Sequence, residues 1–202
     1  MIRNNLRLIL IGIFLILISL VVLLIKIIND AYTNHQETRA LNNFYIEEKN
    51  NIEKKNEVVD VSTTTKAIEK YNYIAVLKIP KIDLERGLVD VNSKYNNVNY
   101  NIEILKESSM PDVENGNLIL ASHSGNSKIS YFKNLNKLVL NDELIIVYKG
   151  KNYNYKVKNI YEIDKNGKAK IIRNKDINTL TLITCKRNSN KQIVIISELN
   201  KW

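Results

Sequence analysis

The sequence predicts a mostly β fold, an eight-stranded β-barrel with one or two short helices, preceded by an N-terminal transmembrane helix. Three observations lead to this prediction. An uncharged apolar run lies close to the N-terminus, from Leu8 to Ile25. From Tyr73 onward, short apolar or alternating runs recur about every 10 to 15 residues, with turn-forming residues between them. Segments of helical periodicity are few in that part of the chain.

The N-terminal run has the length and composition of a membrane-spanning helix. It holds 18 uncharged residues, positions 8 to 25, almost all of them Leu, Ile or Val. At about 1.5 Å per residue this run spans roughly 27 Å, close to the thickness of the hydrocarbon core of a bilayer. No small-x-small cleavage site follows it. We therefore expect residues 1–29 to form a cytoplasmic tip and an uncleaved membrane anchor.

The charges beside the anchor predict its orientation. Arg3 and Arg7 precede the apolar run and favour a cytoplasmic N-terminus, whereas Lys26 on the other side is soon balanced by acidic residues. The sequence thus predicts a single-pass protein of the cell membrane with an extracellular domain. Residues 30–72 contain no Gly or Pro and are rich in Asn, Glu, Lys and Thr, which indicates a polar, partly helical stalk. Residues 73–202 are predicted to form the barrel domain.

The barrel prediction depends on eight strand-like runs. They are Ile74–Ile79, Leu84–Val91, Asn117–Ala121, Glu143–Tyr148, Tyr153–Ile160, Lys170–Arg173, Thr179–Thr184 and Gln192–Leu199. Two segments, Lys149–Asn152 and Lys165–Gly167, have the composition of hairpin turns. A helix is expected near Tyr95–Leu105, and a helical turn at Ile129–Leu138.

The composition is basic, with a formal net charge of +9 and a pI near 9.4. The lysines are dispersed among Asn and Glu rather than grouped, and no nucleic-acid-binding motif accompanies them. We therefore do not expect a nucleic acid as partner. Two interpretations are open: attraction to anionic membrane lipid or another acidic part of the cell envelope, or a solvated basic surface without a partner.

One cysteine and one histidine are the candidate catalytic residues. Cys185 is the only cysteine of the chain, and His35, the only other histidine besides His123, lies beside the predicted anchor. Both Cys185 and His123 stand at the end of a strand-like run. A thiol can act as a nucleophile and an imidazole can transfer protons, so the pair suits thiol catalysis. The alternative is a cysteine buried as a small apolar residue and a histidine with a structural role.

Four segments, in their order and spacing, carry a resemblance to a known family. They are Leu77–Ile82, Leu118–His123, Tyr131–Leu135 and Thr181–Cys185, which reads Thr-Leu-Ile-Thr-Cys. With them the chain strongly resembles the sortases, membrane-anchored cysteine transpeptidases of Gram-positive cell surfaces. The resemblance covers about residues 73–199 and implies a sortase-type eight-stranded β-barrel. It leaves the sortase subclass open.

The resemblance implies a reaction and the partners of that reaction. Cys185 would attack a carbonyl in the C-terminal sorting motif of a secreted protein and form a thioacyl-enzyme. An amine acceptor, in a peptidoglycan precursor or a pilin, would resolve that intermediate. His123 would protonate the departing amine and deprotonate the incoming one. No cofactor and no metal are implied, and acidic residues such as Asp112 and Glu114 are scattered rather than clustered.

This sequence departs from the sortase pattern at one catalytic position. Sortases use an arginine near the start of the last strand to hold the substrate backbone and the developing oxyanion. Here Lys191 and Gln192 occupy that place, and the nearest arginine is Arg187, two residues after Cys185. Arg187 is the first candidate for the role, with Gln192 or Lys191 as alternatives. Thr184 and Gln192 are candidate substrate-binding residues.

Other functions agree less well with this sequence. An L,D-transpeptidase carries a Ser-His-Gly run before its cysteine, where this chain has Leu-Ile-Thr. A papain-like peptidase has its cysteine before its histidine, the reverse of the order here. The non-enzyme alternative is a membrane-tethered β-barrel, catalytically weak or inactive, that binds envelope ligands. The replaced arginine is the feature that favours it.

Overall fold

The computed structural model describes residues 2–53, 72–165 and 169–200. The chain divides into two compact units, residues 1–39 and residues 40–202. The first unit is helical throughout its described part. The second contains the end of the same helix and a β-barrel.

The helix α1 runs from Ile2 to Glu53 and carries the predicted anchor. Within it, an 18-residue window reaches a mean hydropathy of 3.1, and none of that window is buried inside the protein. Leucine, isoleucine and valine are exposed on all sides of the helix from Leu10 to Ile28. An apolar surface all around a helix suits a lipid environment rather than water. The described part of the chain thus has one helix that is compatible with a single-pass membrane anchor.

Eight strands form one sheet in the order β2-β1-β5-β6-β8-β7-β4-β3. In this order β4 and β7 pair in parallel, whereas the other neighbours pair antiparallel. The sheet curls into a nearly closed barrel, as predicted. The strands are β1 (Tyr73–Ile79), β2 (Leu84–Val89), β3 (Glu103–Ile104), β4 (Asn117–Ala121), β5 (Glu143–Tyr148), β6 (Lys151–Asp164), β7 (Thr179–Cys185) and β8 (Lys191–Leu199).

A buried asparagine links the two ends of the sheet. Asn101, just before β3, accepts a hydrogen bond from Arg86 Nε of β2 at 2.7 Å and donates to the Gly87 carbonyl at 2.9 Å. The Arg86 guanidinium also lies 4.2 Å from the ring centre of Tyr131. Gly87 is required here because a Cβ atom would come within 2.2 Å of the Tyr73 ring. Side-chain hydrogen bonds thus join β2 to the segment before β3.

Apolar residues cover both faces of the strands that carry the candidate site. On the inner face, Leu118 and Leu120 of β4 and Leu180 and Leu182 of β7 belong to the main core. On the outer face a second cluster consists of Ile119, Ile183, Val194 and Ile196, packed against Leu105, Tyr161, Ile163 and Ile171. A parallel pair buried on both faces is expected to have such nearly continuous apolar sequences. This explains the Leu-Ile-Leu and Leu-Thr-Leu-Ile runs.

One predicted helix and one predicted strand are wrong. The segment Tyr95–Leu105 consists of turns followed by the short strand β3. Asn96 explains the turns, because its side chain donates to the Ile104 carbonyl and accepts from the Ile104 N–H. Such side-chain bonds compete with the helical backbone pattern. The helical turn predicted at Ile129–Leu138 corresponds to a 3₁₀ helix at Leu135–Lys137.

The predicted strand Lys170–Arg173 is irregular, so β3 supplies the eighth strand instead. The hydroxyl of Tyr161 on β6 donates to the Lys170 carbonyl and accepts from the Ile172 N–H, both at 2.8 Å. A single side chain therefore takes the place of a strand partner. The turn predicted at Lys149–Asn152 joins β5 to β6 through Lys149 and Gly150, both at positive φ. The turn at 165–167 lies largely outside the described residues.

The helical end of the predicted stalk packs against the barrel. Phe44 is 5% exposed and clusters with Tyr73, Val76, Val89 and Val147. Tyr45 donates to Glu85 at 2.7 Å, and Glu48 accepts from the Gly150 N–H. Residues 40–53, which the sequence suggested as stalk, thus belong to the barrel unit. Residues 54–71 lie outside the described part of the chain.

This packing predicts that Phe44→Ala destabilises the barrel unit by about 3 kcal/mol, because the change removes a buried aromatic ring and leaves a cavity. The free energy of unfolding is measured by urea titration of the full chain in detergent, followed by near-UV circular dichroism of the tyrosines. Ile46→Ala is the control: Ile46 lies on the same helix but is 56% exposed, so we expect a change within about 0.5 kcal/mol. Equal losses in the two variants would contradict the packing.

Candidate active site

The parallel pairing of β4 and β7 brings the two candidate catalytic residues together. The register pairs Ala121 with Ile183, and the ladder continues with a hydrogen bond from the Ser122 N–H to the Ile183 carbonyl at 3.3 Å. His123 and Cys185 each come two residues after that pair. Because side chains alternate along a strand, Cys185 at the end of β7 shares the outer face with Ile183, and His123, two residues beyond β4, lies at the same end of the sheet.

Cys185 is a free, half-buried cysteine beside an open cavity of about 400 Å³. The cavity has apolar walls from Phe132, Leu135, Leu138, Ile160 and Ile193, and cationic residues at its rim, Lys133, Lys186 and Arg187. Thr184 and Cys185 contribute the wall formed by β7. Cys185 is thus partly exposed, unlike a cysteine packed in the core.

Hydrogen bonds fix the backbone around His123 to the end of β7 and to the core. The Thr184 hydroxyl donates to the Ser122 carbonyl at 2.8 Å, and the Ser124 hydroxyl donates to the Cys185 carbonyl. On the other side, the N–H of the buried Phe132 donates to the His123 carbonyl at 3.1 Å. The hydroxyl of Thr184 is therefore part of this frame. Thr184 also lines the cavity, together with Cys185.

The side chain of His123 has a neighbour that the sequence did not predict. Its Nε2 atom lies 3.4 Å from Oδ1 of Asn99, so the amide can orient the imidazole. Asn99 belongs to a turn that other asparagines stabilise. The Asn99 N–H donates to the Asn97 side chain, and the Asn101 side chain anchors the turn to the barrel by donating to the Gly87 carbonyl. The run Asn96–Asn101, with four asparagines in six residues, was the available signal. It predicts a turn but not which asparagine reaches His123.

Gln192 lies directly opposite Cys185 in the antiparallel register of β7 and β8. The two side chains therefore share a face of the sheet. Lys191, one residue earlier, points to the other face, and its Nζ lies 3.8 Å from Glu162. Lys186 donates to the same carboxylate at 2.5 Å and thereby lowers the pKa of Glu162 below its ordinary value. Among the three alternatives for the arginine role, Gln192 is the one that the register places beside the thiol.

Arg187 lies in the turn between β7 and β8, and its guanidinium faces the segment after His123. Its Nε atom donates to the Ser124 carbonyl at 2.7 Å, and its Nη2 atom donates to the Gly125 carbonyl at 3.1 Å. Two of its donors are thus bound to backbone oxygens of the protein itself.

Within the described part of the chain, no group of three or more His, Cys, Asp or Glu residues is arranged to hold a metal ion. Asp112, one of the scattered acidic residues, lies 2.8 Å from the ammonium of Lys149.

Three solved structures illustrate the likeness in fold. The sortase D5 transpeptidase of Clostridium perfringens is 22% identical, with a TM-score of 0.59 over 82% of this chain and 99% of that one. Sortase C of Streptococcus pneumoniae is 18% identical, with a TM-score of 0.57 over 77% and 87%. The lid mutant of sortase A from Corynebacterium diphtheriae is 20% identical, with a TM-score of 0.55 over 64% and 71%. These structures include sortases A, C and D, so the fold does not select a subclass.

A comparison with curated protein sequences gave no match. The model of the sortase domain, in contrast, matches residues 77–200. The matched segment runs from β1 to the end of β8 and includes His123, Cys185 and Gln192. The nearly closed eight-stranded barrel agrees with this match, and the chain belongs to the sortase family, whose members are cysteine transpeptidases.

Proposed function

We propose that this chain is a membrane-anchored transpeptidase with Cys185 as nucleophile and His123 as general acid and base. The observation that supports the proposal is the β4–β7 register, which brings the end of β7 with Cys185 and the segment after β4 with His123 to the same end of the sheet. Its substrates are secreted proteins with a C-terminal sorting motif. Its acceptor is an amine of a peptidoglycan precursor or of a pilin, in the cell wall or a pilus of a Gram-positive cell. No cofactor takes part.

The first half of the reaction forms a thioester. The thiolate sulfur of Cys185 adds to the carbonyl carbon of the scissile amide and gives a tetrahedral intermediate. As the C–N bond breaks, His123 gives its proton to the departing amine nitrogen. The new amino end leaves, and the acyl group stays on the sulfur. Asn99, within reach of Nε2, orients the imidazole during this transfer.

The second half transfers the acyl group to the acceptor. His123 takes a proton from the incoming amine, whose nitrogen adds to the thioester carbonyl. Collapse of this second intermediate expels the Cys185 sulfur and leaves a new amide. Both amines must contact the same imidazole, so they occupy the His123 side of the thiol in succession.

Gln192 is the side-chain donor for the oxyanion in this proposal. Its amide lies on the strand opposite Cys185, on the face that carries the thiol. A carboxamide N–H can donate to a developing oxyanion as a guanidinium does, although without its charge. Lys191 does not share that face, and Lys186 is held by Glu162.

The catalytic pair is tested with Cys185→Ala and His123→Ala in the full chain. Cys185→Ala should abolish acyl transfer because no covalent intermediate can form, and His123→Ala should remove most of it. Incubation with a panel of sorting-motif peptides, followed by mass spectrometry, should detect a thioacyl adduct in the wild-type protein only. Transpeptidation by Cys185→Ala would refute the mechanism. Absence of any adduct with the wild-type protein would favour the alternative, a catalytically inactive barrel that binds envelope ligands.

The oxyanion donor is tested with Gln192→Ala, which should lower the turnover of acyl transfer on the order of 10²-fold, as loss of other oxyanion donors does. Gln192→Glu is the matched control: it keeps the shape of the side chain but replaces the donor with an anionic acceptor, so it should be at least as slow. Gln192→Arg should retain or raise turnover. Wild-type rates in Gln192→Ala and Gln192→Glu would show that another group supplies the donor.

The membrane anchor is the last part of the proposal: α1 spans the cell membrane with its N-terminus in the cytoplasm and the catalytic domain outside. The uncharged run of residues 8–25 and the mean hydropathy of 3.1 within α1 support it. The protein should stay with the membrane fraction in high salt and be released by detergent. Protease added to intact cells should degrade the barrel domain. Extraction by salt would refute the anchor, and protection from protease would reverse the orientation.

A further inference from the structure

The contacts of Arg187 differ from those of a donor to substrate. Its Nε and Nη2 atoms point to the carbonyls of Ser124 and Gly125, the two residues that directly follow His123. A guanidinium is planar and presents its N–H groups in a fixed fork, so two bonds on one edge determine its orientation. The geometry thus directs Arg187 toward residues 123–125, the His123 segment.

The His123 segment lies beyond the end of β4, so contacts other than strand pairing must fix its position. Strand β4 ends at Ala121, and the last ladder bond is the one from the Ser122 N–H to the Ile183 carbonyl. Beyond this bond, the Ser124 hydroxyl donates to the Cys185 carbonyl. Arg187 donates to the carbonyls of Ser124 and Gly125. Arg187, which follows Cys185, thus binds the backbone of the two residues that follow His123.

We propose that Arg187 is a positioning residue that clamps the His123 segment beside Cys185, and that it is not the oxyanion donor. The clamp joins the turn after β7 to the chain after β4, so it sets the distance between the imidazole and the thiol. This inference deepens the proposed function and, where it concerns acyl transfer, rests on it. Its principal test does not need a sorting-motif peptide.

Alkylation of Cys185 by iodoacetamide separates the two roles. The reaction is a displacement at a saturated carbon, so no oxyanion forms, and it depends on the thiolate and on its histidine neighbour. If Arg187 is a clamp, Arg187→Ala should slow alkylation and acyl transfer in parallel, on the order of 10-fold, since small displacements of reacting groups have effects of this size or larger. The dependence of the alkylation rate on pH should move toward that of His123→Ala.

Two further variants keep the test interpretable if stability changes. Arg173, in the loop between β6 and β7, supplies the matched control, because its guanidinium also donates to backbone carbonyls. These are the carbonyls of Asn174 and Ile177 in the same loop and of Asn115 just before β4. Arg173→Ala should leave the pH profile of Cys185 alkylation unchanged even where its melting temperature falls. Arg187→Lys, which keeps the charge but lacks the planar fork, should recover only part of the lost rate.

A parallel loss of alkylation and acyl transfer in Arg187→Ala, with a shifted alkylation profile, supports the clamp. Wild-type alkylation combined with a 10²- to 10³-fold loss of acyl transfer would identify Arg187 as the oxyanion donor and overturn it. Wild-type rates in both assays would overturn it as well. If the chain transfers no acyl group at all, the alkylation result alone still decides whether Arg187 holds His123 beside Cys185.

Discussion

The parallel pairing of β4 with β7 is the interaction on which the candidate site depends. The two strands are separated by β5 and β6 along the chain, yet their register sets the end of one beside the end of the other. Parallel strands require a long connection and burial on both faces, and both conditions are met here. The inner leucines fix the strands in the core, while Ile119 and Ile183 fix the outer face. A slip of one residue in β7 would turn Cys185 to the opposite face.

Hydrogen bonds from polar side chains hold the backbone in place where strand pairing ends. Strand β4 ends two residues before His123, and β7 ends at Cys185 itself. From these points on, hydroxyl, amide and guanidinium groups of side chains bind backbone carbonyls of neighbouring segments. Thr184 and Ser124 connect the two strand ends, and Asn101 performs the same task at the seam between β2 and β3. Each of these bonds gives a backbone carbonyl a side-chain donor. The barrel can therefore remain nearly closed with an accessible thiol at its end.

The sequence predicted those features that depend on apolar periodicity and failed where a single side chain replaced a strand partner. Asn117–Ala121 and Glu143–Tyr148 were predicted with the bounds that the structure has, because continuous apolar runs specify buried strands. Lys170–Arg173 has a strand-like composition, but its backbone binds the Tyr161 hydroxyl. Likewise, Asn99 lies beside His123 because of the backbone conformation of its turn, and apolar periodicity does not predict that conformation. The strand register, and hence the position of Gln192 opposite Cys185, could likewise be determined only from the structure.

The proposed exchange of a charged oxyanion donor for a neutral one has a consequence for the rest of the site. A hydrogen bond from a neutral amide contributes about 0.5–1.5 kcal/mol, whereas one that involves a charged group contributes about 1.5–3 kcal/mol. A site that depends on Gln192 therefore depends more on accurate placement of the imidazole and the thiol. The bonds of Thr184, Ser124 and Arg187 supply that placement. With Arg187 as the clamp, the positive charge stays near the thiol while its N–H groups serve the geometry of the pair rather than the oxyanion.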